Sequence, residues 1–206
     1  MTLARFDRRN ALVLAGSGLA TLLLGACQTS VDRTVWPDIT FNHREPVAMS
    51  VAGVEVSDVS GPGAVQPPAY DIRNALPVSP LATMDAWAHQ RINALGGYGT
   101  ALMKITENRF VEVPLETEQG VGGLFTNSQS ERYEGAMTVR IEIVGDPAGQ
   151  GFVEARSAAS RTVPEDYSIN QREQALYDMI ATIVKNLDER LVAEMRANLS
   201  RWVMMG

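Results

Sequence analysis

The only cysteine of the chain, Cys27, stands directly after an apolar run that ends in LLLGAC. A cysteine thiolate is a strong nucleophile that can carry a covalent group. Residues 11–26 contain no charged side chain, and three arginines precede them. A positive start followed by an apolar run shorter than the roughly 20 residues of a membrane-spanning helix predicts an export signal over residues 1–26. The alternative, a buried N-terminal helix, is disfavoured by the glycines of the run: Gly16, Gly18 and Gly25.

The tetrapeptide Leu24-Gly25-Ala26-Cys27 resembles the lipobox of bacterial lipoproteins, with glycine in the second position as a tolerated departure. The resemblance implies that the signal is cut before Cys27, that its thiol is linked to diacylglycerol, and that its new amino group is acylated, for instance by palmitate. One acyl chain gives reversible membrane binding, whereas two or three chains hold a protein almost permanently. The alternative is a small buried cysteine.

Two further residue patterns bear on the export route and on the target membrane. Arg8 and Arg9 before a weakly apolar, glycine-containing run resemble a twin-arginine signal, but Asp7 and Ala11 depart from its pattern. The ordinary secretory route needs only the positive charge, so both routes stay open. Gln28 follows the cysteine where enteric inner-membrane lipoproteins carry aspartate, which favours the periplasmic face of the outer membrane and leaves the inner membrane possible.

Few other residues have the types and spacing that chemistry needs. The two histidines, His43 and His89, stand in no metal-ligand spacing, and we expect both to be ordinary surface residues. The chain has no G-x-S-x-G elbow and no phosphate-binding glycine loop. We therefore expect no catalytic residue, no metal and no cofactor beyond the lipid on Cys27. A hydrolase whose site is assembled only by folding is the remaining catalytic alternative.

The composition and net charge limit the classes of partner that the chain can bind. The 206 residues carry 18 Lys and Arg against 24 Asp and Glu, a net charge of −6, and residues 27–206 alone carry −8. An acidic chain without a basic cluster argues against nucleic acid as a partner. Because no second cysteine exists, the domain has no disulfide and its core must stabilise it alone. Apolar residues make up 45% of the chain, which makes such a core feasible.

The elements that must position any site follow from periodicity. We expect a lipidated tether over residues 27–48 and a single α+β domain over residues 49–206. Alternating side chains predict strands, and 3.6-residue stripes with caps at Ser79 and Ser168 predict two helices. The predicted order is β-α-β-β-β-α, a two-layer sandwich with a four-stranded mixed sheet and both helices on one face. The predicted segments are strands 51–60, 100–113, 132–145 and 152–163, and helices 79–96 and 168–202.

One loop exceeds what a hairpin needs. Residues 118–130 join two strands and contain Leu124 and Phe125 among small and polar residues. Either this pair folds back and caps the core, or it forms an exposed apolar tip that contacts a partner protein or lipid.

The lipobox and the order of elements over about residues 50–204 are similar to small envelope lipoproteins. These include the lipopolysaccharide-assembly lipoprotein and the auxiliary lipoproteins of lipid-transporting ABC systems. The resemblance implies a non-catalytic accessory or partner-binding protein of cell-envelope assembly or lipid transport. A binding module for a small envelope lipid or glycan is the alternative. No residue motif beyond the lipobox carries over.

Overall fold

The chain contains both β-strands and α-helices, as an α+β protein does. The structure, a computed structural model, describes residues 34–61, 65–115 and 129–204. In chain order the elements are β1 (Val47–Met49), β2 (Gly53–Asp58), β3 (Tyr70–Asp71), a 3₁₀ turn (Arg73–Ala75), α1 (Pro80–Arg91), β4 (Ile92–Ala94), β5 (Thr100–Pro114), β6 (Gln129–Val144), β7 (Gly151–Pro164) and α2 (Ile169–Asn198). The predicted α+β class with two helices is confirmed.

The main sheet has five strands rather than the predicted four. Its order is β2-β5-β6-β7, and β3 also pairs with β5. β2 pairs with β5 in parallel across the α1 crossover, whereas β5, β6 and β7 form an antiparallel meander. The fifth strand exists because β5 is much longer than β2, which pairs only with residues 100–105. The free edge of β5 beyond that point receives β3, where Tyr70 pairs with Glu112.

A second, two-stranded sheet changes the predicted limits of the first helix. α1 begins at the predicted Ser79 cap, whose hydroxyl accepts from the Ala82 amide. It ends at Arg91 instead of near Gly96, because the next three residues form β4, which pairs in parallel with β1. β1 lies partly within the segment predicted as a tether, and its Val47 and Met49 are buried.

The face of the main sheet that packs on the helices is apolar. In β6, buried side chains alternate with partly exposed ones as the sequence predicts: Tyr133, Met137, Val139, Ile141 and Ile143. α2 begins with the predicted capping box of Ser168 and Gln171. Its buried stripe joins α1 and the sheet in one hydrophobic cluster, so both helices cover the same face. Burying each large aliphatic side chain in such a cluster contributes about 1.5–3 kcal/mol.

A β-bulge in β5 redistributes its side chains between the two faces. The register shifts between Ile105 and Glu107. Because one extra residue reverses the alternation, Glu107 lies on the open face of the sheet and Asn108 joins the buried face.

Candidate functional site

The segment before β1 packs on the helices. We call residues 34–46 the strap. The Trp36 ring stacks on Tyr177 of α2 with centroids 5.3 Å apart, and its Nε1 donates to Glu173 at 3.1 Å. Further along, the Phe41 amide donates to Gln90 of α1 at 2.6 Å and the Phe41 ring is buried. The described part of the expected tether therefore belongs to the domain.

A buried carboxylate ties the strap to both helices. Asp188 of α2 is fully buried. Its Oδ1 accepts from Trp87 Nε1 at 2.8 Å and from Arg91 Nε at 2.6 Å, and its Oδ2 accepts from Arg44 Nη1 at 2.7 Å. Arg91 also donates to the carbonyl of Glu45 in the strap. One carboxylate therefore joins the strap, α1 and α2.

This arrangement holds elements together and has no open position for a substrate. Both oxygens of Asp188 accept from donors, and two guanidinium groups balance its charge. No local motif marks Asp188, although its position in the sequence carries a signal. Asp188 stands four residues after Val184 and three before Leu191, in phase with the buried stripe of α2. An acidic residue in such a position needs a cationic partner.

The open face of the sheet carries paired charges. Glu142 lies between Lys104 Nζ at 2.7 Å and Arg140 Nε at 2.5 Å. The hydrogen bonds from Lys104 and then from Arg140 hold the pKa of Glu142 below its usual 4.5. The Arg140 guanidinium also lies over the Phe152 ring, 3.5 Å from its centroid. At neutral pH this carboxylate is ionised and already paired with Lys104 and Arg140.

Two more carboxylates of the open face follow the same pattern. Glu107 accepts from Arg156 Nε at 2.8 Å and Nη2 at 3.1 Å, and this contact is the largest cause that lowers its pKa below 4.5. Glu134 lies 3.4 Å from Arg109 and 2.7 Å from Arg132. The face is therefore a charged surface whose groups satisfy one another.

Two grooves lie beside the strap. One, with a volume of about 460 Å³, lies between residues 45–48 and the end of α2, where Arg196 and Met204 line it. The other, of about 400 Å³, lies between the strap and α1, with Trp36 on one side and Ala86 on the other. Both volumes fall within the range of small-molecule sites.

Among the residues that the structure describes, two polar atoms on the buried face of the sheet have no hydrogen-bond partner: Asn108 Oδ1 and Ser157 Oγ. The two residues flank Met137 in one row across β5, β6 and β7. Four residues before Met137 in β6, burial and then the charge of Glu112 raise the pKa of Tyr133 to about 12. These groups lie under the helices.

Some of the residues singled out in the sequence lie within the described residues, and others do not. Cys27, Arg8, Arg9, Leu124 and Phe125 lie outside the described residues, so the lipid anchor, the export signal and the loop contact stay predictions.

Both histidines are on the surface. His43 is exposed, and so is His89, which lies 3.8 Å from Asp85 one helical turn earlier. Within residues 34–61, 65–115 and 129–204, no group of three metal-ligating side chains comes together. In the same ranges, no helix has the length and apolar character needed to cross a bilayer.

Comparison with known proteins gives structural likeness alone. No family model and no curated protein matches the chain. A minor lipoprotein from Acinetobacter baumannii is similar at 13% identity and a TM-score of 0.36, over 78% of this chain and 99% of the other. A Xanthomonas campestris protein of the DUF330 family is similar at 10% identity and a TM-score of 0.32, over 79% of this chain and 94% of the other. At these values neither likeness assigns a function.

Proposed function

We propose that this chain is a non-catalytic lipoprotein of the bacterial cell envelope, anchored through Cys27 and presenting its α+β domain to a partner. The partner belongs to envelope assembly or lipid transport, at the periplasmic face of the outer membrane. The observation that carries the proposal is the lipobox-like Leu24–Cys27 tetrapeptide at the end of an uncharged run.

The open sheet face supports a binding role over proton transfer. A general acid or base works best with a pKa near the operating pH. Here the cations beside Glu107 and Glu142 move the pKa of each carboxyl in the opposite direction, below 4.5. Such carboxylates stay charged and shape a surface for recognition.

The anchor is tested by Cys27→Ser in the full chain expressed in a Gram-negative host. We expect the variant to lose the mass of the acyl groups and to move from the detergent phase to the aqueous phase. Gln28→Asp is the matched control, because it leaves the acylated cysteine in place. If Cys27→Ser stayed in the detergent phase like the unchanged protein, the proposal would be contradicted.

The partner is tested by cross-linking in intact cells followed by mass spectrometry. We expect Leu124→Ser with Phe125→Ser to weaken one envelope cross-link while melting and anchoring stay unchanged. Unfolding of the double variant would instead place the loop in the core and remove its role in partner binding.

Binding of a small envelope ligand is the second candidate, and the 460 Å³ groove beside β1 favours it. Ser200 lines this groove, so Ser200→Trp should fill it and abolish any binding of lysophosphatidylethanolamine measured by calorimetry. Ala197→Trp places the same ring on an exposed position of α2 outside the groove and serves as control. Equal binding by both variants would exclude the groove.

A further inference from the structure

Exposed apolar side chains gather where the strap meets the first turns of α2. Val35 is 92% exposed and precedes Trp36, whose ring contacts Tyr177 and Glu173. Ile169 stands four residues before Glu173, on the same side of the helix and one turn, about 5.4 Å, away. Ile169 is 53% exposed. Val35 and Ile169 therefore share one end of the domain.

Tyr167 belongs to the same end. Its side chain is 37% exposed, and its carbonyl accepts from Arg172 Nε at 3.3 Å, which fixes the backbone before α2. We call Val35, Tyr167 and Ile169 the proximal patch. It lies at the end of the sheet where β7 finishes at Pro164.

The length of chain between Cys27 and the strap limits where an anchor can hold the domain. Six residues lie between Cys27 and Thr34. Even a fully extended chain therefore spans at most about 25 Å from Cys27 to Thr34. α2 has 30 residues and runs towards the opposite end of the sheet, where Trp202 Nε1 donates to Asp146. A helix of that length extends about 45 Å. The chain length therefore allows an anchor on Cys27 to hold a bilayer no farther than about 25 Å from Thr34, a distance shorter than the length of α2.

We propose that the proximal patch docks on the lipid bilayer itself, so that the domain lies on the membrane with the start of α2 towards the lipid. This inference rests on the proposed anchor at Cys27. Aromatic and aliphatic side chains such as Tyr167 and Ile169 enter the interfacial region of a bilayer favourably. Carboxylates flank the patch at Glu165 and Glu173, so the contact is apolar and does not need anionic lipid.

The opposite end of the domain offers matched control positions. Leu95 and Tyr98 are 57% and 74% exposed, and they lie in the loop before β5, beside the turn between β6 and β7. They are as apolar and as accessible as the proximal patch. They lie at the opposite end of the domain from Val35, where the described chain begins.

The experiment uses the acylated full chain in phosphatidylethanolamine vesicles that contain brominated lipid. Because Cys27 is the only native cysteine and is blocked by lipid, a cysteine introduced elsewhere takes a thiol-reactive fluorophore alone. We expect labels at Val35→Cys and Ile169→Cys to shift to the blue and to be quenched severalfold more than labels at Leu95→Cys and Tyr98→Cys. Adding phosphatidylglycerol should not increase the difference.

The outcomes separate this inference from the proposed function. Absence of acyl mass on Cys27 would overturn the anchor and, with it, this inference. An acylated, vesicle-bound protein whose four labels are quenched equally, or whose Leu95 and Tyr98 labels are quenched more, would overturn the docking alone. A strong dependence on phosphatidylglycerol would replace the apolar contact by an electrostatic one and contradict the proposal as stated.

Discussion

Asp188 and Glu142 are both carboxylates held between two cationic side chains, and they lie in opposite surroundings. Asp188 is enclosed between the helices and the strap, with Arg44 and Arg91 at 2.7 and 2.6 Å. Glu142 lies on the open face of the sheet, with Lys104 and Arg140 at 2.7 and 2.5 Å. The distances are almost equal, so the difference between the two sites is the access of water.

That difference decides what each site does. Water and salt screen the pairs of Glu142, so exposed pairs of this kind contribute about 0–1 kcal/mol. The side chain of Asp188 is buried, so removing one member leaves an uncompensated charge and costs about 3–5 kcal/mol. The buried site fixes how the strap meets the helices, and the open face supplies a charged surface at little cost in stability.

The strongest test of the comparison is Asp188→Asn. The amide keeps the volume but loses the charge that balances Arg44 and Arg91, and we expect unfolding free energy to fall by about 3–5 kcal/mol. Urea unfolding followed by circular dichroism measures this change.

The neighbouring residue provides the control. Glu189 is half-exposed and lies 3.7 Å from Arg44, so Glu189→Gln should cost less than about 1 kcal/mol. Similar losses in Asp188→Asn and Glu189→Gln would mean that the buried site is no stronger than a surface pair.

A second test adds a methyl group at two glycines of the sheet, one packed against buried side chains and one with free space beside it. A Cβ on Gly135 would lie 2.7 Å from both Ile183 Cδ1 and Phe110 Cε1 on the buried face. Gly135→Ala should therefore overpack the helix–sheet interface and cost about 1–3 kcal/mol in urea unfolding. A Cβ on Gly53 of β2 meets no atom within 4 Å, so Gly53→Ala is the control. We expect this control to be neutral or slightly stabilising, and equal losses for both variants would contradict the close packing of α2.

Local patterns determine most of the sheet and both long helices, which explains why the sequence predicted them. In β6 the alternation of Ile141 and Ile143 with Arg140 and Glu142 is complete. The capping box at Ser168 likewise depends on residues three apart. Such signals need no knowledge of distant contacts.

The missed features depend on partners far away in the sequence. Asp188 lies 97 residues from Arg91 and 144 from Arg44, so nothing local connects them. β1, β3 and β4 have two or three residues each, too few to show a period. Mixed charges and prolines carry no period either, so the sequence indicates a tether over the strap. Its packing depends on tertiary contacts such as that between Trp36 and Tyr177.

The contribution of Glu142 on the open face to stability can be tested by lowering the pH. Because the folded pKa of Glu142 is lowered below its unfolded 4.5, its contribution to stability is present above pH 4.5 and is lost as the pH falls through the folded value. Glu142→Gln should therefore cost at most about 1 kcal/mol at pH 7 and nothing once the wild-type carboxyl is protonated. Urea unfolding of both proteins across this pH range measures the difference, and a gap that persists in acid would show that charge is not its cause.

The smallest expected effect lies on the buried face, at a polar group that has no partner. Ser157 is 3% exposed, and its hydroxyl makes no hydrogen bond within the described part of the chain, in contrast to the fully paired Asp188. Ser157→Ala removes a desolvated hydroxyl without breaking a contact, so we expect unfolding free energy to stay unchanged or to rise by less than about 1 kcal/mol. Ser160→Ala, three residues further along β7 on the exposed side, is the control and should change nothing measurable. A loss above about 1 kcal/mol at Ser157 alone would show that its hydroxyl has a partner, because an unpaired group cannot stabilise the fold by leaving water.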